Sequence, residues 1–134
     1  MSARQDALKI FQAAIKAVQP SYLLPQHIKL EQEQLTILDE SHLLSSVENI
    51  YVIGAGKAAA AMALETEKIL GNHIAGGVTT TKYHHSLPTD HIKIIESAHP
   101  VPDDNCDLAV KQTIELLNKT TEHDVVICLI SGGA

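Results

Sequence analysis

The feature that most constrains this chain is a change of pattern at Asn49. Ile50–Ile53 is a short apolar run that ends in Gly54-Ala55-Gly56-Lys57 and passes straight into the helix-forming stretch Ala58–Leu70. Strand, glycine turn and helix in that order predict the first βα unit of a parallel sheet. The rest of the chain repeats the alternation. Strands are expected at Ile74–Thr80 and Ile92–Ile95, followed by the loop His99-Pro100-Val101-Pro102-Asp103. A helix is expected from about Asp104 to Leu117, with Cys106, Val110, Ile114 and Leu117 along one face and Asp103, Asp104 and Asp107 near its positive end. The last strand, Val125–Ile130, is continuously apolar, as a strand covered on both faces should be.

The predicted class is therefore α/β: a Rossmann-like, mostly parallel open sheet with flanking helices. Ser131-Gly132-Gly133-Ala134 follow the last strand at once, and no helix to cover the sheet comes after them. A truncated domain is the favoured expectation, and cover from a partner chain is the alternative. Upstream, residues 1–19 predict an amphipathic helix with Ala7, Leu8, Phe11, Ala14, Ile15 and Val18 on one side, ended by Pro20. Ile28–Leu30 and Leu35–Ile37, separated by polar residues, predict a small hairpin.

Charge and composition exclude several function classes. The net charge is −6, and each half of the chain carries five Lys/Arg and eight Asp/Glu. There is no basic face to neutralise a polyanion, and only Phe11, Tyr22, Tyr51 and Tyr83 could stack on bases, which argues against nucleic acid. No apolar run is long enough to span a bilayer, and the N-terminus has no signal-peptide core, so a cytoplasmic protein is expected. Cys106 and Cys128 lie in apolar surroundings and are expected to be reduced, buried thiols. No protein-only metal site is expected, because His84 and His85 are adjacent, the other histidines are scattered and no ligand set accompanies them.

Three segments could carry chemistry. In Gly54-Ala55-Gly56-Lys57, glycines allow close backbone approach, the helix N-terminus favours an anion, and Lys57 reinforces it. It is not a Walker A loop: Tyr51 stands at the first-glycine position and Ala58 where a Mg²⁺-binding Ser or Thr is required. As a dinucleotide fingerprint it fits loosely, and His73–Thr81 contains no acidic ribose ligand. Ser131-Gly132-Gly133 ends another strand, where small residues leave room for a ligand at the same sheet edge. His99 sits in a loop stiffened by Pro100 and Pro102, and Asp103 is either part of that loop's chemistry or only a helix cap. Each glycine turn alone is also what a plain structural turn looks like.

Taken in order, four motifs resemble a known family: Val52–Ala63 with its Gly-Ala-Gly-Lys, then Thr81-Lys82-Tyr83, then His99–Asp103, then Leu129–Ala134. They are similar to the N-terminal domain of glycerate 2-kinases of the MOFRL type, many earlier labelled hydroxypyruvate reductases. The resemblance implies a Rossmann-like domain followed by a second α/β domain, absent here, with an active site in the cleft between them. It implies transfer of the γ-phosphoryl of ATP to the 2-hydroxyl of glycerate, with Mg²⁺. Lys57 matches the family's active-site lysine, and Ser131, Gly132 and Gly133 match its glycine-rich substrate or phosphate loop. Gly54, Gly56 and His99 join them as expected binding residues. His84 departs from the family, which usually has Gly there. The fragment is expected to be inactive alone and prone to associate through its uncovered sheet, as a homo-oligomer or with a partner. Two alternatives stay open: an NAD(P)H-dependent hydroxypyruvate reductase, and a non-catalytic anion-binding domain that needs a partner chain.

Overall fold

A computed structural model describes residues 2–132. Ser2 opens the first helix, α1 (Ala3–Ala17), with a capping box: its hydroxyl accepts from the Gln5 N–H and its own N–H donates to the Gln5 side chain. The helix stops at Ala17, and Pro20 opens α2 (Pro20–His27) at the first-turn position that suits proline. A meander of three antiparallel strands follows: β1 (Ile28–Glu31), β2 (Gln34–Ile37) and β3 (Glu40–Leu43). The expected hairpin is its first half, in register Ile28 opposite Ile37.

The main sheet contains β4 (Ile50–Ala55), β5 (Ile74–Lys82), β6 (Ile92–Ser97) and β7 (Val125–Ile130), all parallel, in the order β6-β5-β4-β7. Helix α3 (Ala59–Leu70) connects β4 to β5, and α4 (Asp104–Leu117) connects β6 to β7. The chain thus builds outward from β4 through β5 to β6, then returns to place β7 on the other side of β4. That reversal makes the β4/β7 boundary a topological switch point, where open α/β sheets hold ligands beyond the strand carboxyl ends.

The core forms on both faces of this sheet. On one, α3 lies close because Ala59, Ala60 and Ala63 are fully buried and small. Val52, Leu70, Ile127 and Leu129 join Leu24 of α2 and Leu35 of β2 in the same cluster. On the other face α4 covers β5 and β6, burying Val78, Ile95 and Ala109. Glu67 of α3 fixes the approach to β6, accepting the backbone N–H groups of Asp90, His91 and Ile92 at 2.9, 2.6 and 2.7 Å.

Three expectations are corrected. β7 is covered on one face only: Ile127 and Leu129 are buried, whereas Val126, Cys128 and Ile130 are exposed, because among the described residues α4 is the helix on that side and it leans over β5 and β6. Cys128 is therefore not a buried thiol, and Cys106 is half-buried; both are free. On α4 the inward side carries Ala109 and Leu116, while Val110 and Ile114 are more than half exposed, facing the bare part of the sheet with Ile53 and Ile130. The apolar side of α1 likewise has no cover: it buries no residue, and Phe11 is 60% exposed.

Candidate anion-binding site

β4 and β7 run in register to the pair Ala55–Ile130, so their following turns lie side by side. Ser131 N–H donates to the Ala55 carbonyl at 3.1 Å, and Gly56 N–H donates to the Thr80 carbonyl at 3.0 Å. The two turns then interlock. Helix α3 has Ala58 at its N-cap, whose side chain makes no capping bond, and the Ser131 hydroxyl accepts the Ala58 N–H at 3.2 Å from 73 residues away. Gly56 is required here on two counts. Its φ is +115°, and a Cβ would overlap the Ser131 hydroxyl and stand 2.9 Å from the Ser131 carbonyl oxygen. On the other side, the buried Thr81 hydroxyl donates to the Lys57 carbonyl at 3.3 Å, holding the lysine's backbone against β5.

A cavity of about 150 Å³ opens beside these turns. Its walls include Gly56 and Lys57 after β4, Thr81 and Lys82 at the end of β5, His99 after β6 and Gly132 after β7. Four strand ends thus contribute to one space, with two lysines and no described carboxylate in its lining. Such a lining favours an anion by charge, while the α3 N-terminus adds its partial positive charge.

The expected residues distribute unevenly. Lys57, Gly56, His99 and Gly132 line the cavity. Ser131 stands behind it as the clasp between turns; its hydroxyl oxygen accepts from Ala58, which leaves its proton to donate. Gly54 does not line it. It lies within β4, where a Cβ would sit 2.5 Å from the Leu129 carbonyl, so its role is to let β4 and β7 approach. Gly133 lies outside the described residues. Lys82 is the residue that sequence reasoning left out of the site. Its signal was its place in Thr81-Lys82-Tyr83, at the carboxyl end of a strand.

The His99 wall is held by a polar network. The Asp103 carboxylate accepts the Tyr83 hydroxyl at 2.6 Å and the Ala98 N–H at 3.2 Å. Asn105 donates to the Tyr83 oxygen at 2.9 Å and to the Glu96 carbonyl at 3.0 Å. The Tyr83 hydroxyl holds the Asp103 carboxyl below its ordinary value, and the same bond pushes the tyrosine's own pKa up. Glu96 accepts the N–H groups of Ser86 and His85 at 2.9 and 3.0 Å, which lowers its carboxyl as well. The His99–Pro100 peptide between these anchors is cis.

Fold and site together define an α/β domain built on a parallel sheet, with a pocket lined by two lysines at its switch point. Residues 6–134 match the family described as a domain of unknown function, DUF4147, and the chain belongs to that family. It is 35% identical over 133 residues to a glycerate 2-kinase of Pyrococcus horikoshii, which covers 99% of this chain and 29% of that relative. A crystal structure of a P. horikoshii protein superposes with a TM-score of 0.86 at 34% identity, covering 99% of this chain and 30% of that one. The crystal structure of a glycerate kinase from Thermotoga maritima gives 0.72 at 32% identity, covering 94% of this chain and 27% of that one. The chain thus spans about three-tenths of the length of the relatives it matches. Among the described residues no helix is long and apolar enough to cross a membrane.

Proposed function

We propose that this chain supplies one wall of a glycerate 2-kinase active site, and that the cavity of Lys57, Lys82, His99 and Gly132 receives an anionic group of the reactants. The observation that carries this reading is the convergence of two lysines, two glycine turns and His99 from four strand ends on one space with no carboxylate among its described lining residues. The glycerate kinases among its relatives, matched along nearly the whole of this chain, support it.

The size of the space on this wall bears on what it receives. Ligand pockets for drug-sized molecules and cofactors occupy roughly 300–1,000 Å³. At about 150 Å³ the space that these residues bound has room for a carboxylate or a single phosphoryl group. ATP, when bound, supplies the phosphoryl group that glycerate's 2-hydroxyl receives. Phosphoryl transfer needs positioning and charge neutralisation more than covalent help. In this role Lys57 and Lys82 neutralise the anion, Gly56 and Gly132 let it approach the backbone, and His99 bounds it from the loop after β6. The described residues do not fit Mg²⁺: no group of three or more His, Cys, Asp or Glu among them could hold a metal ion. The carboxylates for Mg²⁺, and an arginine for the transferred group, are assigned to the remainder of the full-length enzyme.

A reductase reading gains nothing from the geometry. A dinucleotide-binding sheet carries an acidic ribose ligand at the end of its second strand, and β5 ends in Thr81-Lys82. The test is ³¹P NMR of D-glycerate with Mg-ATP and the full-length protein, looking for 2-phosphoglycerate. Lys57→Ala should lower turnover by about 10²–10³, the scale of losing one group that stabilises transition-state charge, with folding intact. Near-normal turnover would remove Lys57 from the mechanism, and no product from the parent protein would overturn the kinase assignment.

A further inference from the structure

We propose that Tyr83 and Asp103 are positioning residues, a strut that sets the distance between the lysine wall and the histidine wall of the cavity. The proposal rests on the reading of that cavity as the reactants' anion site. Lys82 lines one wall and Tyr83 follows it directly; Ala98 and His99 line the other, and Asp103 closes their loop. The 2.6 Å bond from the Tyr83 hydroxyl to the Asp103 carboxylate joins the two walls across 20 residues of sequence.

The carboxylate's choice of partners is informative. Asp103 occupies the N-cap position of α4, yet its side chain makes no capping hydrogen bond. It turns back instead to the Ala98 N–H and across to Tyr83, and Asn105 holds the tyrosine oxygen from the other side at 2.9 Å. With the Cys106 N–H also beside it, the carboxylate ties the first turn of α4 to Tyr83 and to the loop of Ala98 and His99. Tyr83 is 39% exposed, so the bond lies in solvent-accessible surroundings where polar pairs add little to global stability. Its effect belongs to the spacing of the cavity. In a space of about 150 Å³ a small displacement of one wall is felt by whatever it holds.

Tyr83→Phe, Asp103→Ala and Asp103→Asn in the full-length protein test this. Tyr83→Phe and Asp103→Ala should raise the KM for glycerate about tenfold, a modest share of the loss a 1 Å misplacement can cause. In Tyr83→Phe the KM for ATP and the thermal midpoint should hardly move. Asp103→Asn keeps an acceptor oxygen and should fall between them and the parent. A second readout does not need turnover: the affinity for inorganic phosphate, followed by the amide shifts of Gly56 and Lys57, should weaken in the same order. Unchanged KM and unchanged phosphate affinity in Tyr83→Phe would overturn the strut, as would a loss explained by unfolding in both Tyr83→Phe and Asp103→Asn. If the parent protein makes no 2-phosphoglycerate, the kinase reading falls and the phosphate arm alone decides the strut. If phosphate shifts neither Gly56 nor Lys57 in the parent, there is no anion to position and the strut falls too.

Discussion

Gly56 and Gly132 border the same cavity, but their surroundings make opposite demands. At Gly56 a side chain meets the Ser131 backbone and must adopt φ +115°, so Gly56→Ala should cost roughly 1–3 kcal/mol, measured by urea unfolding. At Gly132 nothing among the described residues lies within 4 Å of a built Cβ. Gly132→Ala should therefore stay within about 0.5 kcal/mol of the parent, and any loss of turnover it causes belongs to the cavity. A Gly132→Ala variant as unstable as Gly56→Ala would mean that the second turn is also under backbone constraint. Sequence reading reached Lys57, Gly56, His99 and Gly132 because each stands at a strand end flagged by glycine or proline. It did not reach Lys82, since the apolar pattern of β5 stops at Thr80 whereas the strand continues through two polar residues. The Tyr83–Asp103 bond was equally invisible, for no local pattern announces a pair 20 residues apart.

At the scale of elements, β4, α3, β5, β6, α4 and β7 were legible because apolar runs and glycine turns mark them. α2 was not: it is 8 residues long and contains Pro25. β3 escaped for another reason, its sequence Glu40-Ser41-His42-Leu43 having no apolar alternation and no buried residue. What sequence cannot show at all is which loops are tied down by carboxylates. Glu96 fixes residues 85 and 86, and Asp103 fixes Ala98. Both carboxyls are lowered in the folded protein, by the Ser86 N–H and the Tyr83 hydroxyl respectively. A lowered carboxyl contributes stability that is present above its unfolded value and lost as pH falls through its folded value. The loops should thus hold unchanged above the ordinary values of 4.5 and 3.8 and loosen only below them. In a pH titration by NMR, the amides of His85, Ser86 and Ala98 should move with midpoints below those values. Midpoints at or above them would show that these carboxylates are not held by the loops.

For the whole molecule, the fold presents a site with one side. The cavity walls come from β4, β5, β6 and β7, and the residues around it offer cations and backbone donors but no described metal-binding set. On the face carrying α4, Ile53, Val110, Ile114 and Ile130 border an apolar hollow of about 250 Å³ at the switch-point strands, and α1 shows its apolar side as well. A surface of that kind is stabilised when another element covers it, and the matched relatives are about three times as long. Binding and catalysis should therefore separate with chain length. The 134 residues should bind inorganic phosphate through Lys57 and Lys82 only weakly, with a Kd of about 1 mM, corresponding to roughly −4 kcal/mol. They should form no 2-phosphoglycerate from glycerate and Mg-ATP, whereas a protein that carries these residues within a chain of its relatives' length should do so. Phosphate titration by NMR and the ³¹P assay, run on both proteins, check this. Turnover by the 134 residues alone would place the metal and nucleotide contacts within them, against the one-sided site. Absence of phosphate binding in both would leave the paired glycine turns as a structural clasp, with Ser131 closing α3 and no anion between the lysines.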